Sequence, residues 1–301
     1  MPHANSTLTK LPGIRVGHWT HAAAGTGCTV VLFERAVPAA VDVRGSAPGT
    51  RETDALNPGG LVARVDAIVL TGGSAFGLAA ADGVLRRLEA DGRGFPTPAG
   101  PVPIVPAAVI YDLAVGDSAV RPDATSGESA LRAAAVHPVI QGNVGAGTGA
   151  TIGAGTGQAK GGLGSAVVRI GGAVAGAIAV VNPAGAVYDP ASGQRLAGGS
   201  EAWDQEFGQH TTIGVVAVNA DLERWQIRKV AEMAHDGLAR AVRPAHGMHD
   251  GDTIFAVAVG DGPKDADLTM LGHAAAEAFA AAIVNGTLAA RPAYGLPATQ
   301  R

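Results

Sequence analysis

The sequence predicts an α+β protein built as a layered sandwich. Strand-like and helix-like segments are mixed along the chain, without the regular strand–helix alternation of a doubly wound parallel sheet. Two apolar runs meet at Gly171-Gly172, a hairpin signal that calls for antiparallel pairing. Hydrophobic residues make up 47% of the 301-residue chain and charged residues 16%, which is ample for a sizeable core. No composition shift marks a linker, so residues 1–301 are expected to form a single domain.

The elements follow from local pattern. Residues 29–33 (TVVLF) and 39–43 are strand-like, and a long polar loop, RGSAPGTRETDALNPGG, comes after them. Residues 67–70 form a short apolar run that ends at TGGS. In AFGLAAADGVLRRLEADG, Leu78, Ala81, Val84, Leu85 and Leu88 share one helical face. The Pro-punctuated run 102–113 suits an edge strand, and 125–136 a short helix. The segment from 142 to 164 is dominated by glycine and has no periodicity; AVVRI and AVAGAIAVV then read as two strands. Residues 211–220 form a further strand that leads into an amphipathic helix, with Asp221 as the expected N-cap. TIFAVAVG is the last strand, and a helix from about residue 267 closes the chain.

Several function classes lose support at this level. The net charge is −4 and no segment carries a Lys/Arg cluster, so nucleic acid is not an expected partner. The N-terminal stretch lacks the layout of a signal peptide, and the run 173–181 is too short and too glycine-interrupted to span a bilayer. A single cysteine, Cys28, fits a reducing compartment, and a cytoplasmic location is expected.

Familiar motifs fail one by one. The glycine-rich segment contains no GxxxxGK[ST] match, and Gly145-x-Gly147-x-x-Ala150 matches only a loosened dinucleotide fingerprint. A packed or flexible loop suits that segment better. Within it Lys160 is the one cation, and a buried lysine there could hold an anion or lose its proton. His246 and His249 are three apart in a glycine-rich loop with no HExxH pattern, so they read as solvated residues and no metal is expected. GGSAF around Ser74 lacks the second glycine of a hydrolase elbow.

Thr253 is different. In HGMHDGDTIFAVAVG it stands at the mouth of an apolar strand, directly behind Gly-Asp. A β-branched residue is ordinary there. If the Asp252–Thr253 bond were cut, however, Thr253 would carry an α-amino group, of reference pKa about 7.7–8.0, beside its own hydroxyl. A nucleophile and its base would then share one residue.

Eight blocks in order extend this reading. GIRVGHWT, PGTRETDALNPGGLVARVDAIVLTGGSAFGLAAADGV, VPIVPAAVIYDL, GNVGAGTGATIG, AKGGLGSA, AVVNPAG, MAHDGLARAVRP and HDGDTIFAVAVG resemble the L-aminopeptidase/D-amidase-esterase family. That family includes 6-aminohexanoate-oligomer hydrolases and β-peptidyl aminopeptidases. The resemblance implies a four-layer αββα sandwich like that of the N-terminal-nucleophile hydrolases, with a different connectivity that ornithine acetyltransferases share. It also implies self-cleavage into 1–252 and 253–301, with Asp252 and Thr253 flanking the cut.

Carried over by position, Thr253 resembles the nucleophile and Lys160 the lysine near it. Asn182 resembles the oxyanion-supporting asparagine, with Asn219 a second candidate, and Tyr111 the tyrosine lining the site. Asp265 and Asp267 resemble the acidic pair that orients the amine, although Asp267 also suits the N-cap of the last helix. The implied activity is hydrolysis of peptides, amino-acid amides or 6-aminohexanoate oligomers, with no cofactor and with assembly as a tetramer of processed heterodimers. The alternatives are an acetyltransferase of the related fold and a non-catalytic small-ligand-binding relative.

Overall fold

A computed structural model of the chain describes residues 5–155, 157–199, 210–260, 262–263 and 265–299. The main strands are β1 (Ile14–His21), β2 (Thr26–Val43), β3 (Arg64–Thr71), β4 (Ala107–Val109), β5 (Gly162–Ile170), β6 (Ala173–Asn182), β7 (Thr211–Val218) and β8 (Thr253–Ala258). The helices are α1 (Ala80–Ala90), α2 (Ala124–Arg132), α3 (Arg224–Ala241) and α4 (Leu268–Ala289).

The hydrogen-bonded order is β5-β6-β7-β8-β2-β3-β4, with β1 also on β2 and the short strand Thr50–Arg51 beyond β4. β7/β8 and β3/β4 are parallel pairs, and the other pairs between these strands are antiparallel. β2 joins two sheets: Thr26–Phe33 pairs with β1, and Ala39–Val43 pairs with β8. The two segments expected as separate strands are therefore halves of one 18-residue strand.

Alternation along each strand then builds the layers. Val31, Phe33, Ile68 and Leu70 of one sheet meet Ile178, Val180, Val215 and Phe255 of the other in a buried middle core. Cys28, Val30, Ala67 and Val69 turn outward onto Val84 and Leu88 of α1 and Leu131 of α2. Ala177, Val216, Ile254 and Ala256 turn the opposite way, onto Ile227 and Val230 of α3 and Leu271 and Phe279 of α4. The result is helix, sheet, sheet, helix: an αββα sandwich. α4 is apolar around most of its circumference because it lies against both α3 and β5. Its backbone rests directly on the sheet, where a Cβ on Gly164 would stand 2.2 Å from the Gly286 nitrogen.

One local expectation is corrected. Glu223, not Asp221, caps α3, because Glu223 and Gln226 form a reciprocal capping box. The glycine-rich segment, which shows no periodicity in the sequence, does hold regular elements, and of the two readings, packed or flexible, the packed one fits: Gly145–Gly147 is a 3-10 turn, Thr151–Ile152 pairs with Ala159–Lys160, and β5 starts at Gly162. A Cβ at Gly145 would lie 2.2 Å from Thr29 Oγ1, which explains the glycine there through close packing instead of phosphate binding. The expected hairpin at Gly171-Gly172 is present between β5 and β6.

Candidate active site

Thr253 opens β8, an inner strand whose neighbours are Ile213 of β7 on one side and Val43 of β2 on the other. Its side chain is wholly buried and points toward the middle core, as Phe255 and Val257 do. Oγ1 donates a hydrogen bond to the Gly251 carbonyl at 2.9 Å, so the hydroxyl is folded back over the Asp252 peptide. The Asp252 carbonyl oxygen accepts N–H bonds from both Arg44 (3.0 Å) and Gly45 (3.3 Å). Two backbone donors on one carbonyl oxygen are the arrangement that stabilises a developing oxyanion.

Gly45 must be glycine for this approach. A Cβ there would stand 2.3 Å from both the Asp250 carbonyl oxygen and the Asp252 nitrogen. Gly45→Ala is therefore expected to push residues 250–252 off the two donors and, if the chain cuts itself ahead of Thr253, to slow that cut by about a hundredfold, on the scale of losing one oxyanion donor. A time course by intact mass reads this directly.

The remaining contacts fix the junction on the α3 side of the sheet. The Asp252 carboxylate accepts from Thr212 N (2.8 Å), His246 N (3.0 Å) and His246 Nδ1 (2.9 Å). Asp250 accepts from Ala184 N (3.2 Å) and Gly247 N (2.9 Å); burial and then the nearby Asp252 push its carboxyl up to about 6. The His246 ring stands edge-on to His235 at 4.8 Å, and His235 Nε2 lies 3.0 Å from the Asp42 carbonyl. His246 is thus a bonded part of the junction, contrary to its reading as a solvated loop residue. Its left-handed backbone (φ 59°) is held by these contacts.

On the other side, Asn182 ends β6 directly opposite Thr211, two positions from the Thr253 partner Ile213. Its Oδ1 accepts from Thr151 N at 2.8 Å, which makes Nδ2 the donor end of the amide. Thr151 in turn pairs with Lys160. The Lys160 ammonium is buried on three carbonyls, Gly147 (3.0 Å), Ala150 (2.7 Å) and Gly161 (2.8 Å). Burial pushes it down to about 7, and the Asp112 carboxylate opposes that shift. Asp112, raised by its own burial, accepts from Thr26 Oγ1 and Gly73 N, both at 2.7 Å. Tyr111 lines a cavity of about 140 Å³ together with Thr151, Gln158, His210 and Tyr294.

Thr253 and Asn182 thus share one end of the second sheet, Lys160 joins Asn182 through Thr151, and Tyr111 joins Thr151 across the cavity, whereas three expected residues lie elsewhere. Asp265 and Asp267 follow the far end of β8, a strand that spans about 20 Å at ~3.3 Å per residue. Asp267 caps α4 by accepting from Thr269 N and Met270 N. Asn219 lies beside Asp267 in a separate cavity. Among the described residues, the carboxylates near the junction include Asp250, Asp252 and Asp42, with Asp112 next to Lys160.

The model of peptidase family S58 matches residues 6–300 of the chain. The chain belongs to peptidase family S58. An uncharacterised aminopeptidase of Mycobacterium tuberculosis (strain ATCC 25618 / H37Rv) is 43% identical over 338 residues, covering 97% of this S58 chain and 96% of the relative. A 6-aminohexanoate-oligomer endohydrolase of Kocuria sp. (strain KY2) is 31% identical over 277 residues, covering 82% and 73%. Among solved structures, the L-aminopeptidase D-Ala-esterase/amidase of Ochrobactrum anthropi, described as a variant of the Ntn hydrolase fold, superposes with a TM-score of 0.75 at 24% identity, covering 95% and 86%. A Pyrococcus horikoshii OT3 protein gives 0.79 at 23% identity, covering 99% and 91%. The fold of this S58 member is the Ntn-like sandwich expected from sequence, and hydrolysis of amide bonds is its reaction class.

Arg44, Gly45, Thr151, Asp112, His210 and His246 were missing from the sequence-derived site. Asp112 and Thr151 do stand in blocks already singled out, and His246 stands in the stretch ahead of Thr253. Arg44 and Gly45 contribute only backbone N–H groups, which no residue-type pattern reveals.

Proposed function

We propose that the chain cuts its own Asp252–Thr253 bond and then hydrolyses amides with Thr253 as the N-terminal nucleophile. The observation that carries this reading is the Thr253 hydroxyl folded over a carbonyl already held by the Arg44 and Gly45 N–H groups. In the first step Oγ1 attacks the Asp252 carbonyl carbon, its proton passes to the Thr253 nitrogen, and the C–N bond breaks. An ester and a free amine result. Water then splits the ester, leaving a carboxylate on Asp252 and the hydroxyl on Thr253.

In turnover the freed amine takes the Oγ1 proton as the oxygen adds to a substrate carbonyl. Asn182 Nδ2 donates to the oxyanion, and the proton goes on to the leaving amine. Water resolves the acyl-threonine by the same route in reverse. Lys160, held on three backbone carbonyls and brought down to about 7 by burial, adds in its protonated form a positive charge that favours the neutral, basic form of the Thr253 amine. The substrate class is amides of peptides, amino acids or 6-aminohexanoate oligomers.

Intact mass and N-terminal sequencing under denaturing conditions test the reading. Two pieces are expected, one beginning at Thr253. An active protein that remains a single 29.8 kDa chain would overturn it.

A further inference from the structure

The first amide this protein meets, on the reading above, is its own, and the residues on the acyl side of that bond show where an acyl chain lies. Asp250 bridges His210 in parallel, and Gly251 N donates to the His210 carbonyl at 3.1 Å. The acyl track therefore runs along residues 210–212. His210 is also a wall of the cavity that holds Tyr111, Thr151, Gln158 and Tyr294.

Three properties of that cavity point to a ligand. The His210 residue is 4% exposed, and its Nδ1 has no hydrogen-bond partner among the described residues. Leaving a buried polar nitrogen unpaired is costly, and a substrate group that bonds to it relieves that cost. Burial, with nearby His249 adding to it, keeps the imidazole toward its neutral form. The described walls thus present hydroxyls, a carboxamide and an imidazole, groups that both donate and accept, and an amide does the same. A volume of about 140 Å³ corresponds to four or five waters at ~30 Å³ each, room for one amide unit with its carbon neighbours.

We propose that this cavity is an acyl-side extension subsite in which His210 hydrogen-bonds a second amide of the substrate, beyond the bond that is cut. His210 precedes Ile213, the partner of Thr253, by three strand positions, or about 10 Å. An extended acyl chain advancing ~3.4 Å per residue reaches it with its third residue. The inference rests on Thr253 as nucleophile.

The test uses the processed protein and p-nitroanilides carrying one, two or three alanines. In the unsubstituted enzyme, kcat/KM is expected to be about tenfold higher for the three-residue substrate than for the one-residue substrate, carried mainly by KM, as one good hydrogen bond allows. His210→Leu is expected to reduce that ratio to about one, and His210→Asn, which keeps a donor and an acceptor, to retain most of it. A ratio of one or less in the unsubstituted enzyme overturns the proposal without any variant. A ratio left intact in His210→Leu overturns it as well. If His210→Leu does not accumulate as folded protein, the length series together with His210→Asn decides. Failure of the nucleophile reading would show separately, as turnover that survives Thr253→Ala.

Discussion

Thr253→Ala is expected to remain one uncut chain and to lose amide hydrolysis by about 10⁴-fold or more, the scale seen when the nucleophile of a coupled catalytic unit is removed. On the proposed mechanism both losses come from the same atom, because Oγ1 would be the attacking group in processing and in turnover. The substitution should do little else. Among the described residues the Thr253 side chain makes a single hydrogen bond, to Gly251, and its loss from a buried site costs about 1 kcal/mol. Thr253→Ser keeps the oxygen and is expected to be cut and active. A Thr253→Ala protein that is processed, or that turns over normally, would place the nucleophile elsewhere.

Lys160→Met is the change with the largest expected effect on stability, about 3 kcal/mol or more. It removes the amino group that ties together Gly147, Ala150 and Gly161 and, wherever that group is protonated, leaves the Asp112 carboxylate buried without its counter-charge. Adding Asp112→Asn should recover part of the loss, and a double-mutant cycle by urea unfolding measures the coupling. The pH dependence carries its own signature. In the folded chain Lys160 sits at about 7 against an ordinary 10.5. Between those values the unfolded chain holds a proton that the folded one has released, so this residue makes stability rise with pH across that window. Lys160→Met should flatten that rise. An unchanged slope in the variant would mean that Lys160 titrates near its usual value.

The layers were legible because strand alternation and helix stripes are local properties: TVVLF, AVAGAIAVV and TIFAVAVG each announce a strand by composition alone. The continuity of β2 was not legible, since ERAVP reads as a break, and within it only Val37 and Pro38 find ladder partners, on β3 across a register shift. For the site, Thr253 stood out through the chemistry of a hydroxyl next to a possible new amine. Lys160 was visible as a lone cation in a neutral, glycine-rich run. Asp265 and Asp267 were misplaced because a D-x-D spacing says nothing about which end of a strand it follows. Residues 44–45 escaped notice because their contribution is main-chain, brought in from about 200 positions away by the β2/β8 ladder.

That ladder also governs what a cut chain can do afterwards. β8 is an inner strand, clasped by β7 on one side and β2 on the other, and α4 follows it into the outer helical layer. Severing the bond ahead of Thr253 leaves both fragments woven into one sheet, each supplying hydrogen-bond partners the other lacks. Assembly of the intact chain is a first-order event, whereas reassembly from separated fragments would depend on their concentration. Maturation would then act as a ratchet: a fold reached as a single polymer is handed on as a two-piece object with no unimolecular way back.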